Sequence, residues 1–507
     1  MSEKVEKIAI IDLGSNTVRL VLVNVYEGGF FVVFDELKEN CRLGQDMEID
    51  GFLRPSRIEQ TKKTLLMFRR FCDSNGIEKI LAYATSAVRR AKNQKSFLEE
   101  VSVTCGIKLK VLSNEEEGIF TYSGVINSMD IPKGLIMDMG GGSTQFILYN
   151  RKNILEQATL PFGTVTLTDM FKGSGLSPEE KAERIEEFVR EYVEQLPWLS
   201  NLDPEFRLIG VGGSFRNLGK ISRKLKRYPL DVAHNYVIEK PEFNTIYDTI
   251  KVLPIDRTMK IKGLSSGRAD IFPSALSAMK AVMDTAKFPS ITVSGCGLRE
   301  GAMFRYAVPS VADKPISDVL GHSLQTLVVN FNENESHAKH VADLSMQLFK
   351  QLKVLHKLPR GYFKVLRVAA ILHDSGGTIK YYDHPKHSAY VIMNSAIYGI
   401  SQKDIVMAAF VASAHKKGEP CEDFARFKMM LTPEDIDAVY KLGVILKIAE
   451  SFDRSMSGLV TGINCDVLGD SVIMQTESEG DCSLEIQDAL SCRNEFKRAY
   501  NKNLEIL

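Results

Sequence analysis

Two stretches of the chain carry the same arrangement of reactive and permissive residues. DLGSNTVRLVL at 12–22 and DMGGGSTQFIL at 138–148 overlay without a gap. Asp12 meets Asp138, Gly14 meets Gly140, Thr17 meets Ser143, and an apolar run follows in both. A carboxylate at a strand end can hold a divalent cation, directly or through water, and small residues let backbone N–H groups approach phosphoryl oxygens. One copy alone reads as an ordinary hairpin turn. Two copies in register point to two related domains facing one phosphate site, with Gly14, Ser15, Asn16 and Thr17 on one side and Gly140, Gly141, Gly142, Ser143 and Thr144 on the other.

The elements that must hold these turns follow from patterning. Apolar runs at 8–11, 18–25 and 30–34 lie too close together for parallel crossovers, so they must pair antiparallel. That argues against a dinucleotide-binding or P-loop entry, where the glycine-rich turn leads directly into a helix. The pattern then predicts a helix over 55–75, a strand at 80–84, a helix over 94–105, a strand at 108–112 and a helix from Asn114 with Glu115, Glu116 and Glu117 in its first turn. A second domain starts near 131, with strands over 135–148 and 154–160, a charged helix over 177–196, a strand at 207–211 opening a basic helix, and a strand at 291–294 before a glycine-rich turn. In the basic helix Arg216, Lys220, Arg223 and Arg227 fall on one face, which is either a track for a long polyanion or a solvated surface. Residues 311–460 read as helices, and the tail returns to β-like runs at 471–475 and 483–486 with a helix near 493–502.

Composition bounds the class. The 507 residues suit about three domains, and 64 Lys plus Arg balance 64 Asp plus Glu, so no global charge points to nucleic acid or a membrane surface. The eight cysteines form no CxxC pair and read as reduced thiols. The N-terminus lacks a signal-peptide pattern and no run approaches the ~20 apolar residues of a bilayer span, so the expectation is a cytoplasmic protein.

A duplicated βββαβα domain with a phosphate turn in each half resembles the actin, sugar-kinase and Hsp70 superfamily, with its ribonuclease H-like fold. Within it, IDLGSNTVRL (11–20), ATSAVRRAKN (84–93), SNEEE (113–117), MDMGGGST (137–144), GVGGS (210–214) and SGCGLREG (294–301) resemble the exopolyphosphatase/guanosine pentaphosphate phosphohydrolase (Ppx/GppA) family, in family order. The resemblance implies an α/β fold with actin-like domains at 1–130 and 131–310. It also implies a phosphoanhydride hydrolase: Glu117 as the catalytic glutamate that handles the attacking water, Arg89 gripping the terminal phosphate, and Asp12 and Asp138 positioning Mg²⁺ or Mn²⁺. Arg268, in GLSSGRAD (263–270), matches a further motif and joins Arg216, Arg223 and Arg227 as the expected polyphosphate channel. One departure stands out, since Gln145 occupies the position where the family usually has glutamate. The implied substrate is inorganic polyphosphate or, at the same site, guanosine pentaphosphate (pppGpp); a nucleotide-sensing protein with weak catalysis is a third reading. The expected partners are these anions and a second copy of the chain in a homodimer, without nucleic acid or membrane.

In the C-terminal part, His337, His373, Asp374 and Asp453 resemble the HD phosphohydrolase signature. That resemblance implies an all-α HD-like domain at 311–460, followed by a small α+β segment at 461–507. Imidazoles and carboxylates brought together from several helices can surround a second divalent metal. His384, His387 and His415 are further candidate ligands or phosphate contacts.

Overall fold

Strands β1 (Glu6–Leu13), β2 (Val18–Val25) and β3 (Phe31–Glu39) run antiparallel, with β1 and β2 in register from Glu6 opposite Val25 to Leu13 opposite Val18. Beyond β1, β4 (Lys79–Ala84) and β5 (Leu109–Val111) add in parallel, giving the order β3-β2-β1-β4-β5. Successive side chains of β1 serve opposite faces. Ala9, Ile11 and Leu13 pack with Leu65, Phe68 and Phe97, from the helices Pro55–Ser74 and Gln94–Cys105. Ile8 and Ile10 pack with Ala302 and Met303, from the helix Leu298–Ala307. A sheet covered on both faces needs nearly continuous apolar strands, and β1 and β2 are written that way.

The computed structural model describes residues 5–331, 333–421 and 423–507, which divide into two units, Met1–Ser317 and Asp318–Leu507. Within the first unit the second sheet comprises β6 (Lys133–Met139), β7 (Thr144–Asn150), β8 (Asn153–Leu160), β9 (Arg207–Val211), β10 (Tyr236–Glu239) and β11 (Ser290–Val293). Its order is β10-β11-β9-β6-β7-β8. Read from the other edge, β8-β7-β6-β9-β11 repeats β3-β2-β1-β4-β5 with the same sense at every pairing, so the duplication seen in two turns extends to a whole sheet.

Two helices tie the halves together by exchange. The helix Asn114–Ile126, encoded with the first sheet, places Tyr122, Val125 and Ile126 among Ile136, Ile147 and Ile209 of the second. The helix Leu298–Ala307, encoded with the second sheet, covers the first. They cross where neither carries a side chain: a Cβ on Gly124 would sit 2.2 Å from the Gly297 carbonyl oxygen, and one on Gly301 1.8 Å from that of Phe120.

The second unit contains the helices Val319–Phe331, Glu335–Gln351, Tyr362–Ile371, His384–Asn394, Gln402–Ser413 and Pro433–Ser451. Positions 405–412 of the fifth are buried all round, as in a helix enclosed by others. A three-stranded sheet follows in the same unit: β12 (Val460–Leu468), β13 (Ser471–Ser478) and β14 (Asn503–Ile506), in that order. The run at 483–486, expected to be β-like, instead opens the helix Ser483–Leu490. The Asp481 carboxylate accepts from the Ser483 N–H at 3.0 Å, and the Ile486 N–H reaches back to the Cys482 carbonyl at 3.0 Å. These local bonds favour a helical start over an extended run. Among the described residues no helix is long and apolar enough to cross a membrane.

Candidate active site

The two repeated turns close with the same bond: the Gly14 N–H donates to the Thr17 carbonyl at 3.1 Å, and the Gly140 N–H to that of Ser143 at 3.0 Å. They abut each other and the start of the helix Ser86–Arg90. A Cβ on Gly142 would lie 2.9 Å from Ser86 Oγ and 3.1 Å from Ser15 Oγ. Between them opens a cleft of about 140 Å³, lined by Asp12, Gly14, Ser15, Asn16, Thr17, Glu117, Asp138, Gly140, Gly141 and Ser143. Asn16 Nδ2 and Ser86 Oγ are buried there without a hydrogen-bond partner among the described residues, which leaves donors available for an anion. Thr144, expected in the cradle, turns away: it is fully buried and its hydroxyl donates to the Phe162 carbonyl at 2.8 Å. Gly142 likewise is not among the lining residues, its place being taken up by the contact with Ser15 and Ser86.

The three glutamates of the acidic helix start have separate roles. Glu116 completes a capping box, its carboxylate accepting from the Ser113 N–H at 2.9 Å while Ser113 Oγ accepts from its own N–H at 3.0 Å. Glu115 is exposed, and Glu117 enters the cleft. Burial pushes Glu117 up to about 7, against the pull of Arg89 and with help from Asp138 and Asp12. The upward push thus comes from burial and the facing aspartates, not from Glu115 and Glu116. Arg89 is not among the residues lining the cleft. Its Nη1 donates to Glu117 Oε2 and to the Leu112 carbonyl, each at 2.8 Å, so the guanidinium orients the glutamate instead of facing the cavity.

Asp12 and Asp138 both line the cleft, and burial raises both, against the pull of Arg299 and Arg19 on Asp12 and of the Thr121 hydrogen bond on Asp138. Thr121 Oγ1 donates to Asp138 Oδ2 at 2.7 Å and fixes its rotamer. Across the strand, Asp12 faces Arg19 and Asp138 faces Gln145, so these two partners are equivalent positions of the duplication. Arg19 lines the cleft; Gln145 is buried behind it, with neither amide atom bonded among the described residues.

Three arginines join Arg19 around the cavity: Arg216, Arg268 and Arg299. Burial lowers Arg19 to about 10, with repulsion from Arg216 and Arg299 adding to it, and burial with the charge of Arg19 lowers Arg268 to about 10. Burial also lowers Arg216. For Arg299 the effect of burial is outweighed by Glu300, Asp12 and Glu36. Arg19, Arg299 and Glu300 lie inside motifs recognised in the sequence, yet nothing in residue type alone separated them from structural charges.

The expected four-arginine track does not form. Arg216 and Arg268 reach the cleft, but Arg223 is 6 % exposed, with its guanidinium carbon 5.3 Å from the Tyr236 ring centre and Nη2 3.4 Å from Asp231. The helix Gly213–Lys226 starts at the cleft and then packs beside β10, so the face that is open at Arg216 is covered at Arg223. Arg227 is exposed and ends the helix in a left-handed conformation. A second cavity of about 470 Å³ shares Asn16 and is lined in part by Val165, Leu167, Phe171, Ile185 and Ile271.

In the second unit, His337 lies in the helix Glu335–Gln351, His373 and Asp374 follow Tyr362–Ile371, and Asp453 follows Pro433–Ser451. His337 and His373 come together with Asp374, and so do His384 and His415. Asp453 stands behind this group: it accepts from His337 Nδ1 at 2.7 Å and from the Gly458 N–H at 2.9 Å. The expected quartet is therefore re-sorted, with two further histidines at the centre and Asp453 outside it.

The family model described as Ppx/GppA phosphatase matches residues 21–308, and that described as Ppx/GppA phosphatase domain III matches 320–489. Guanosine-5′-triphosphate,3′-diphosphate pyrophosphatase of Aeromonas hydrophila subsp. hydrophila is 26% identical over 412 residues, covering 79% of each chain. The enzyme of the same name from Pseudoalteromonas translucida is 27% identical over 425 residues, covering 80% of each. The solved Ppx/GppA family member of Aquifex aeolicus is 27% identical with a TM-score of 0.52, over 61% of this chain and 99% of that one. An exopolyphosphatase from Cytophaga hutchinsonii is 25% identical with a TM-score of 0.56, over 60% and 98%. With the two family models spanning most of its length, the chain belongs to the Ppx/GppA phosphatase family.

Proposed function

We propose that the cleft hydrolyses the terminal phosphoanhydride of inorganic polyphosphate and releases orthophosphate. The observation that carries this reading is the crowding of Arg19, Arg216, Arg268 and Arg299 around two phosphate turns, a concentration of buried positive charge that a multiply charged anion relieves. The turn amides and the unpartnered Asn16 Nδ2 and Ser86 Oγ suit phosphoryl oxygens in the same space. Glu117, held by Arg89 and poised near neutrality, accepts a proton from the attacking water, and the arginines offset the charge developing on the transferred phosphoryl group.

Asp12 and Asp138 fit a divalent cation such as Mg²⁺: two strand-end carboxylates line one small cleft, and burial without a cation disfavours their charge. Such an ion, when bound, would neutralise phosphate charge and orient the chain end.

A second substrate, pppGpp, is favoured by the partly apolar cavity beside Asn16, which has room for a nucleoside that polyphosphate would leave unused. Family members with that substrate in their name resemble this chain, as does a solved exopolyphosphatase. The test is phosphate release from long polyphosphate, short polyphosphate, ATP and pppGpp compared side by side. Polyphosphate should give the highest kcat/KM; pppGpp exceeding it would assign the second reading, and no release from any of the four would remove the hydrolase.

A further inference from the structure

Arg42 is not among the residues lining the cleft, yet its backbone and its side chain bond to opposite sides of it. The Arg42 N–H donates to the Asn16 carbonyl at 3.0 Å and the Gly44 N–H to that of Ser15 at 2.9 Å, so residues 42–44 lie along the first phosphate turn. The guanidinium reaches instead to Asp270, 228 residues further along and encoded with the second sheet. Nη1 donates to Asp270 Oδ2 at 2.7 Å, and Nη2 to Asp270 Oδ1 at 3.3 Å and to the Gly267 carbonyl at 3.4 Å. A fork of two N–H donors on one carboxylate fixes the pair in angle as well as in distance. The Arg42 backbone has a φ of 49°, a left-handed conformation uncommon for a long side chain. Such a residue persists where its surroundings over-determine it, as the bonds on both sides do here.

Between Gly267 and Asp270 lies Arg268, which does line the cleft. It ends the single 3₁₀ turn Ser266–Arg268, an element too short to fix its own orientation. The Arg268 guanidinium rests on the start of the helix Gly213–Lys226, where a Cβ on Gly213 would lie 2.3 Å from Arg268 Cζ. From the other side the segment before Arg42 closes in: a Cβ on Gly267 would lie 2.8 Å from Asn40 Nδ2, and Asn40 Oδ1 accepts from Thr17 Oγ1 at 3.4 Å. Burial and the charge of Arg19 push Arg268 down to about 10, and the Asp270 carboxylate works against them. The carboxylate that holds Arg42 therefore also supports the charge of Arg268.

We propose that Arg42 is a positioning residue that couples the first phosphate turn to Arg268, its backbone following the turn and its fork on Asp270 and Gly267 setting the Arg268 side chain against the bound anion. The inference rests on the cleft being the phosphate site of the proposed function. Arg42 then contributes to anion binding only through Arg268, and a lysine in its place would supply the charge without the fork.

The test is a double-mutant cycle of Arg42→Asn and Arg268→Ala in the full chain. It is read as KM and kcat for phosphate release from tripolyphosphate and, in a Glu117→Gln background, as Kd for tripolyphosphate by calorimetry. Tripolyphosphate carries no nucleoside to occupy the cavity of about 470 Å³ that Arg42 and Asp270 also line. Asparagine accepts a left-handed backbone, so Arg42→Asn removes the fork and leaves the turn bonds in place. Asp270→Asn breaks the same pair without touching residue 42, and circular dichroism establishes that each variant is folded. Each should raise Kd and KM about tenfold at nearly constant kcat, and by less than about twofold once Arg268 is alanine. A loss of the same size in the Arg268→Ala background overturns the proposal, as does parent-like binding by both variants. A parent that binds tripolyphosphate with this coupling but releases no phosphate supports it and removes only the hydrolase. A parent that releases phosphate while the losses multiply independently does the reverse.

Discussion

One property of Glu117, its raised pKa, underlies both its proposed catalytic role and a stability signature. A carboxyl titrating near 7 in the fold and near 4.5 when unfolded keeps its proton in the native state across that interval. The native state therefore binds more protons there, and stability falls as pH rises from about 4.5 to 7, by roughly 2–3 kcal/mol for a shift of this size. Glu117→Gln should lower kcat by about 10²-fold, yet in EDTA it should melt higher than the parent at pH 8, with the gap closing towards pH 5. Equal pH slopes of Tm would show that burial does not hold Glu117 protonated. Arg89 acts through Glu117, so Arg89→Ala should move the acidic limb of the kcat profile to higher pH with a smaller change in KM. An unmoved limb would leave Arg89 a purely structural residue. Asp12 and Asp138 stood out because a repeat marks them, whereas Glu117 was separated from Glu115 and Glu116 only by its match to a family motif. The aim of Arg89 was not legible, since a long guanidinium side chain can reach either a carboxylate or the cavity, and its identity is the same in both. Nor does the Gln145 position declare in sequence that its counterpart Arg19 lines the cleft while it stays behind.

At the scale of elements, the duplicated hairpins were readable from period and turn chemistry, and the sheets repeat them strand for strand. The exchanged helices were not: a crossing of Gly124 and Gly301 leaves no periodicity, because the informative feature is a missing side chain on each of two distant segments. Gly301→Ala would place a methyl group 1.8 Å from the Phe120 carbonyl oxygen and should cost about 3 kcal/mol or more, read by denaturant unfolding. A change below ~1 kcal/mol would mean that the two helices separate easily. The basic helix shows the opposite failure, where a correct period gave a wrong surface: helical spacing places Arg216 and Arg223 on a face but does not say where that face passes under β10. Arg223→Met should therefore leave KM unchanged for long and short polyphosphate, whereas Arg216→Ala should raise both. A selective loss on long chains from Arg223→Met would restore the extended track.

For the molecule as a whole, the division of chemistry follows the division of the chain. Every residue lining the cleft precedes position 317, and both apolar faces of each sheet in that unit find their cover inside it, including the exchanged helices. The solved Aquifex aeolicus protein is matched over 99% of its length by 61% of this chain. A segment that buries its own core and carries its own donors should need nothing further for the proposed hydrolysis. Residues 1–317 should accordingly unfold in one cooperative transition and release phosphate from short polyphosphate with kcat within about threefold of the full chain. A fragment that folds cooperatively but releases no phosphate would show that residues 318–507 complete the active site. A fragment that fails to fold would show that the core of the first unit depends on the second.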